Sequence, residues 1–215
     1  MNDTRILLAH GNGGRLMREL IADIFARHLA NPLLDTDADA VTLPPLDGEV
    51  MVTTDGFTVQ PLEFPGGNLG SLAVHGVVND LAVAGADPRY LTLSALIEEG
   101  LEVEVLDRLV ASFAAAARES GVAVVAGDTK VVRRGEGGGL YLSVAGIGVK
   151  RALAKFAIES IAPGDVVLVS GPVGDHGIAV MLAREQFGLS GELRSDSASV
   201  LPLAQAVRDL PGLRF

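Results

Sequence analysis

The spacing of hydrophobic positions changes period several times along the chain. Leu16, Leu20, Ile21, Ile24, Phe25 and Leu29 recur at helical spacing and predict an amphipathic helix entered from a glycine string at 10–14. Residues 31–48, rich in proline and aspartate, read as loop, and 49–54 as a strand that delivers Asp55 into a turn at Gly56. The stretch 66–86 is apolar nearly all round, the pattern of a buried central helix. Leu91, Leu93, Ala95 and Ile97 alternate as a strand, and Leu106, Leu109, Val110, Phe113 and Ala117 form the buried stripe of a helix ending near Gly121. A short apolar strand at 122–126 then runs into Gly127-Asp128, and strands at 130–133 and 140–149 flank a glycine cluster at 135–139, which predicts a hairpin. Beyond 150 the pattern gives a strand at 165–170, a glycine-rich loop at 171–177, and helices at 178–187 and 199–210. Strand–helix–strand order, repeated, predicts an α+β fold of mixed α/β layers. Residues 1–150 are expected to form one domain. One strand and two helices are too little for a second core, so 151–215 read as a linker and the opening of a second domain.

Composition narrows the partners. Hydrophobic residues make up 48% of the 215 and aromatic ones 4%, with 26 glycines, so the core is built from aliphatic side chains packed over glycine turns. The net charge of −10 argues against nucleic acid, whose phosphates such a field repels. A polyanionic nucleotide would need local help from a metal, backbone N–H groups or isolated lysines. Cysteine is absent, which excludes disulfides, thiolate metal sites and a cysteine nucleophile within these residues. The first residues are too weakly apolar for a signal peptide, and no run approaches a membrane span, so a cytoplasmic soluble protein is expected.

Three acidic segments carry the candidate chemistry: Thr53-Thr54-Asp55-Gly56, Val78-Asn79-Asp80-Leu81 and Ala126-Gly127-Asp128-Thr129-Lys130. Each sets a carboxylate at or near the end of an apolar run, and neighbouring carboxylates repel unless a cation lies among them. At about 100° per residue Asp80 falls between Leu69 and Ala73 on the predicted helix, where an unpaired buried charge costs several kcal/mol. Asp55-Gly56 is equally a common turn signal. Gly11-Asn12-Gly13-Gly14 can hold phosphate through backbone N–H groups at a helix start, or be a plain glycine turn. No P-loop, dinucleotide-binding glycine motif or nucleophile elbow occurs. His176 reads as solvated or capping, and His10, His28 and His75 lack metal spacing.

Taken in order, His10-Gly11-Asn12-Gly13-Gly14, Thr-Thr-Asp-Gly, Val-Asn-Asp-Leu, Gly127-Asp128-Thr129-Lys130-Val131-Val132 and Gly174-Asp175-His176-Gly177 resemble the aminoimidazole ribonucleotide synthetase-like (PurM-like) ATP-binding proteins. Within them the string is similar to the HypE type of hydrogenase maturation protein, across essentially the whole chain. The resemblance implies a domain that dimerises through a β-barrel formed across the interface, with ATP and Mg2+ beside it. It implies Asp55, Asp80 and Asp128 on the metal, Asn79 supporting them, and Gly11, Asn12, Gly13, Gly14, Gly127 and Thr129 around the nucleotide. Lys130 would lie near the transferred phosphoryl group. The implied reaction is ATP-dependent dehydration of a carbamoyl group on a C-terminal cysteine to a thiocyanate, the source of cyanide for nickel–iron hydrogenase. The implied partners are the carbamoyltransferase HypF and the HypC–HypD scaffold. A thiamine-monophosphate kinase, a selenophosphate synthetase or a non-catalytic dimeric assembly module is the alternative. Members of that type continue beyond the position of Phe215 to the reactive cysteine, and often carry cysteine where this chain has Ser197. The chain is therefore expected to be a truncated form, inactive alone, that retains the dimerisation domain and much of the nucleotide site.

Overall fold

The computed structural model describes residues 3–151, 156–184 and 191–214. A 3-10 turn at Leu8–Gly11 leads into α1 (Arg15–Leu20), a π-helical segment (Ile21–Ala26) and α2 (Arg27–Leu29). There follow β1 (Val50–Phe57), the short pair β2 (Glu63–Phe64) and β3 (Gly67–Asn68), α3 (Leu69–Val83), β4 (Ala86–Glu98), α4 (Val103–Glu119), β5 (Ala123–Val132) and β6 (Leu140–Lys150). Two helices, α5 (Asp175–Ala183) and α6 (Leu201–Val207), complete the described elements. The main sheet runs β1-β6-β4-β5, with β4 and β5 parallel and the other neighbours antiparallel.

One face of this sheet is covered by α3 and α4. Leu91, Leu93, Ala95 and Ile97 of β4 are buried on that face beside Leu142 and Val144 of β6. The amphipathic stripe of α4 is buried as its spacing predicts. The start of α3 is set by Asn68, whose side chain accepts from the Ser71 backbone N–H at 3.1 Å while Ser71 Oγ accepts from Asn68 N–H at 3.2 Å. Helix and sheet meet closely because glycine lines the contact. A Cβ on Gly146 would lie 2.4 Å from Val77 Cγ1, and one on Gly70 would lie 2.1 Å from the Leu109 carbonyl of α4.

Two expectations fail here. The predicted hairpin across 135–139 does not form. Instead β5 is one unbroken strand whose partner is β4, joined to it by the α4 crossover, and β6 pairs on β4's opposite side. The glycine cluster is the return between two non-adjacent strands. Glu98 holds it, its carboxylate accepting from Gly135 N–H at 2.6 Å and Gly139 N–H at 2.8 Å. Likewise no strand forms at 165–170, because no neighbouring described segment offers it a backbone partner; Val166, Val167 and Leu168 are each more than 80% exposed. The final helices are shorter than their patterns predict, and the expected end of the first, at Phe187, lies outside the described residues. Val180 of α5 and Leu201 of α6 join the same core as α3 and α4.

The Gly70 contact makes a direct test. Gly70→Ala should destabilise the chain by about 1–3 kcal/mol through overpacking, against a helix-propensity gain of about 1 kcal/mol. Urea denaturation followed by circular dichroism measures the balance.

Candidate functional site

The side of the sheet away from α3 and α4 is open. It carries Val52 and Thr54 of β1, Tyr141 and Ser143 of β6, Thr92, Ser94 and Leu96 of β4, and Asp128 and Lys130 of β5. Lys130 shares a row with Leu96 and Tyr141, all three exposed. Strand alternation puts Thr129 on the helix side, where it is buried with its hydroxyl unbonded among the described residues. Gly127 admits the neighbouring strand closely: a Cβ there would be 2.7 Å from the Leu93 carbonyl.

The N-terminal glycine string lies along the free edge of β5. Gly11 packs on Val131, whose Cβ would be 2.9 Å from any Cβ added to it, and Asn12, Gly13 and Gly14 are exposed. Gly13 has φ of +73°, a conformation that favours glycine. Buried His10 anchors the turn, its Nδ1 accepting from the Leu7 backbone N–H at 2.9 Å. The string therefore packs beside β5 at Val131, next in sequence to the Asp128-Thr129-Lys130 segment.

The carboxylates are arranged differently from expectation. Asp55 does not enter a turn, since β1 continues through Gly56 to Phe57. It shares a row with Val144, Leu93 and Gly127, whereas Asp128 shares the next row with Gly56, Ser143 and Ser94. Adjacent rows point to opposite faces, and three strand spacings, about 14 Å, separate the two columns. Asp80 is exposed rather than embedded in an apolar face, and the Thr53 hydroxyl donates to its Oδ2 at 3.1 Å. The reason is geometric. The row Gly76, Asp80, Val83 on α3 looks toward β1, an edge strand, and among the described residues nothing beyond β1 covers it. Gly76 meets Phe57, Asp80 meets Thr53, and Val83 is left exposed.

Thr53 and Asp55 alternate onto the same face of β1, so Asp55 and Asp80 lie on one side of the sheet and Asp128 on the other. Among the described residues no three His, Asp or Glu side chains are close enough to hold one metal ion. A single chain therefore does not unite the three acids, and their coexistence needs no cation to explain it. As exposed hard oxygen donors, Asp55 and Asp80 suit a divalent ion delivered on phosphates.

Asn79 bonds at both ends of its amide: Nδ2 donates to the Ala198 carbonyl at 2.9 Å and Oδ1 accepts from Val200 N–H at 2.8 Å. His176 is half-buried, its ring edge against Phe64 with centroids 5.1 Å apart, and its backbone N–H donates to Asp196 at 2.8 Å. Sequence spacing gave no sign of Ser195 or Asp196 as anchors, because their partners lie about twenty residues or more away along the chain.

The mixed strands under two helices, with the opposite face open, fall within the stretch that matches the AIR synthase related proteins. The chain belongs to that family, whose N-terminal domain matches residues 36–150. In particular, it is 45% identical over 214 residues to the carbamoyl dehydratase HypE of Escherichia coli K12, spanning 97% of this chain and 64% of that one. The hydrogenase maturation protein HypE solved in complex with ATP superposes with a TM-score of 0.88 at 44% identity, over 94% of this chain and 60% of its own. HypE in a solved HypE–HypF complex matches with a TM-score of 0.70 at 45% identity, over 89% and 61%. The chain thus spans less than two thirds of the relatives it matches.

One charged cluster close to α6 gives a pH test. Asp87 accepts from Arg208 at 2.6 Å and Gln205 at 3.2 Å, with Arg151 at 3.4 Å. Burial pushes its pKa up, but these bonds and the arginine charges outweigh it and hold the carboxyl below its ordinary value. A depressed folded pKa contributes stability above the unfolded value that is lost as pH falls through the folded one. Asp87→Asn should cost about 1–3 kcal/mol at pH 7 by leaving arginines unpaired, and should reduce the loss of stability on acidification below about pH 4. Urea midpoints at pH 7 and pH 3.5 measure both effects.

Proposed function

We propose that the chain is the ATP-binding and dimerisation part of an ATP-dependent carbamoyl dehydratase for hydrogenase maturation. The observation that carries this reading is the 44% identity, over 94% of the chain, to a HypE solved with ATP. The glycine turn packed on Val131, one residue from Lys130 in β5, is in keeping with it. Identity at this level over nearly every residue favours the dehydratase over a thiamine-monophosphate kinase, a selenophosphate synthetase or a non-catalytic module.

An amide oxygen is a poor leaving group, and phosphorylation repairs that. The carbamoyl oxygen of an S-carbamoyl cysteine attacks the γ-phosphorus, ADP departs, and the nitrogen gives up a proton. Loss of the second N–H proton then expels inorganic phosphate as the C≡N bond forms, leaving a thiocyanate. Lys130 offsets the charge that builds on the phosphoryl oxygens, and the N–H groups of residues 11–14 orient the phosphates. Gly127 and Thr129 set the backbone that presents Lys130. Asp55 and Asp80 would hold magnesium, which would neutralise charge on the triphosphate; Asp128, Lys130 and the 11–14 turn lie three strands away at β5 and would meet that ion only from a second subunit. The acceptor sulfur lies outside these 215 residues, which contain no cysteine.

The open sheet face is the dimer interface in this reading, since Val52, Leu96 and Tyr141 lie exposed on it in one plane. HypF is the proposed carbamoyl donor, as a HypE–HypF complex has been solved, and HypC–HypD the proposed receiver of cyanide. Among the described residues no helix is long and apolar enough to cross a membrane, in keeping with a cytoplasmic site of action.

Isothermal titration with Mg–ATP should give saturable binding that weakens by about tenfold or more in Asp80→Ala, about 1.4 kcal/mol. Lys130→Ala should reduce phosphate release in the presence of a carbamoylated acceptor more than it reduces binding. Absence of binding by folded wild-type chain sinks the reading. Sedimentation should show a dimer that Val52→Glu with Leu96→Glu converts to monomer, since burying two unpaired charges costs several kcal/mol or more.

A further inference from the structure

Residues 195–200 run as a strap between three parts of the fold. At its start the Ser195 N–H donates to the Pro65 carbonyl at 2.8 Å. There Gly66 adopts φ of +97°, and a Cβ on it would lie 2.7 Å from the Ser195 nitrogen. Ser195 Oγ lies 3.0 Å from His176 Nδ1 and also accepts from the Ser197 N–H at 3.0 Å. Asp196 Oδ1 accepts from the His176 N–H at 2.8 Å, capping the start of α5. At the far end both Ala198 and Val200 are held by the Asn79 amide, which stands in for a peptide group of a neighbouring strand.

The geometry assigns Asn79 a positioning role: its amide latches this strap, which holds the Gly174-Asp175-His176-Gly177 turn beside the Asp80 end of α3. Between the Asp196 and Ala198–Val200 anchors the chain spans two to four residues, at most about 7–14 Å of backbone, with a side-chain hydrogen bond at each end joining it to the turn and to Asn79, the neighbour of Asp80. Both groups of the amide are already engaged with backbone. Asn79 therefore acts on a ligand at Asp80 only through the strap. The inference rests on the reading of Asp80 as part of the nucleotide site for its second half, and on bonded geometry alone for its first.

Hydrogen exchange without nucleotide tests the first half. In Asn79→Ala the amides of Val200 and His176 should exchange about tenfold faster or more, while those of α4 and β4 keep wild-type rates. Asn79→Asp, which keeps the acceptor for Val200 N–H and loses the donor, should release the strap less and is read in the same way if the alanine variant does not fold. Unchanged exchange at both amides, or equal acceleration throughout the core, overturns the latch. Titration with Mg–ATP tests the second half. Affinity should fall several-fold in Asn79→Ala despite the intact core; an unchanged affinity with a released strap overturns the positioning role. If wild type binds no ATP while Asn79→Ala still frees the strap, the nucleotide reading fails and the latch stands.

Discussion

Close contact between α3 and its surroundings is the constraint on which the rest of this fold depends. Gly70 brings α3 against the α4 backbone, Gly146 admits Val77 to the sheet, and Gly76 receives the Phe57 ring. With no Cβ at these points the helix sinks far enough for Leu69, Ala73, Val74, Val77 and Val78 to be fully removed from water. Aliphatic side chains then fill the core without tryptophan and with few other rings. The same depth brings Asp80 down to Thr53 and Asn79 round to the 198–200 backbone. The polar geometry of α3 follows from its apolar packing.

Electrostatics act at the margins of this body. The acids implied by resemblance all lie at exposed positions, two on the helix side and one on the open face. Their mutual repulsion is screened by solvent and imposes no requirement for a cation on the isolated chain. On the proposed reading, binding a polyphosphate against a net charge of −10 falls to groups that act locally: the N–H-bearing turn along β5, the Lys130 ammonium and a divalent ion.

Helices and the alternating strand β4 were legible because period alone determines them, as with Leu106, Leu109, Val110 and Phe113. Pairing was not. The glycine cluster at 135–139 has the composition of a hairpin turn, but whether β6 pairs with β5 or β4 is decided by the α4 crossover, which fills β4's other side first. Asp80 shows the same limit at a single residue. The wheel places it correctly among apolar neighbours, yet its exposure depends on β1 being an edge strand, a property of the assembled sheet. Asn79 was singled out by residue type, while its partners 119 and 121 positions away are invisible to any local pattern.

The run at 166–169 carries one last consequence. Three valines and a leucine with strong strand preference stand exposed, with no described strand beside them. Their amides and carbonyls offer a template to any passing chain that can extend alongside. At high concentration these residues should therefore invite fibrillar contacts, and a lysine placed among them should act as a gatekeeper.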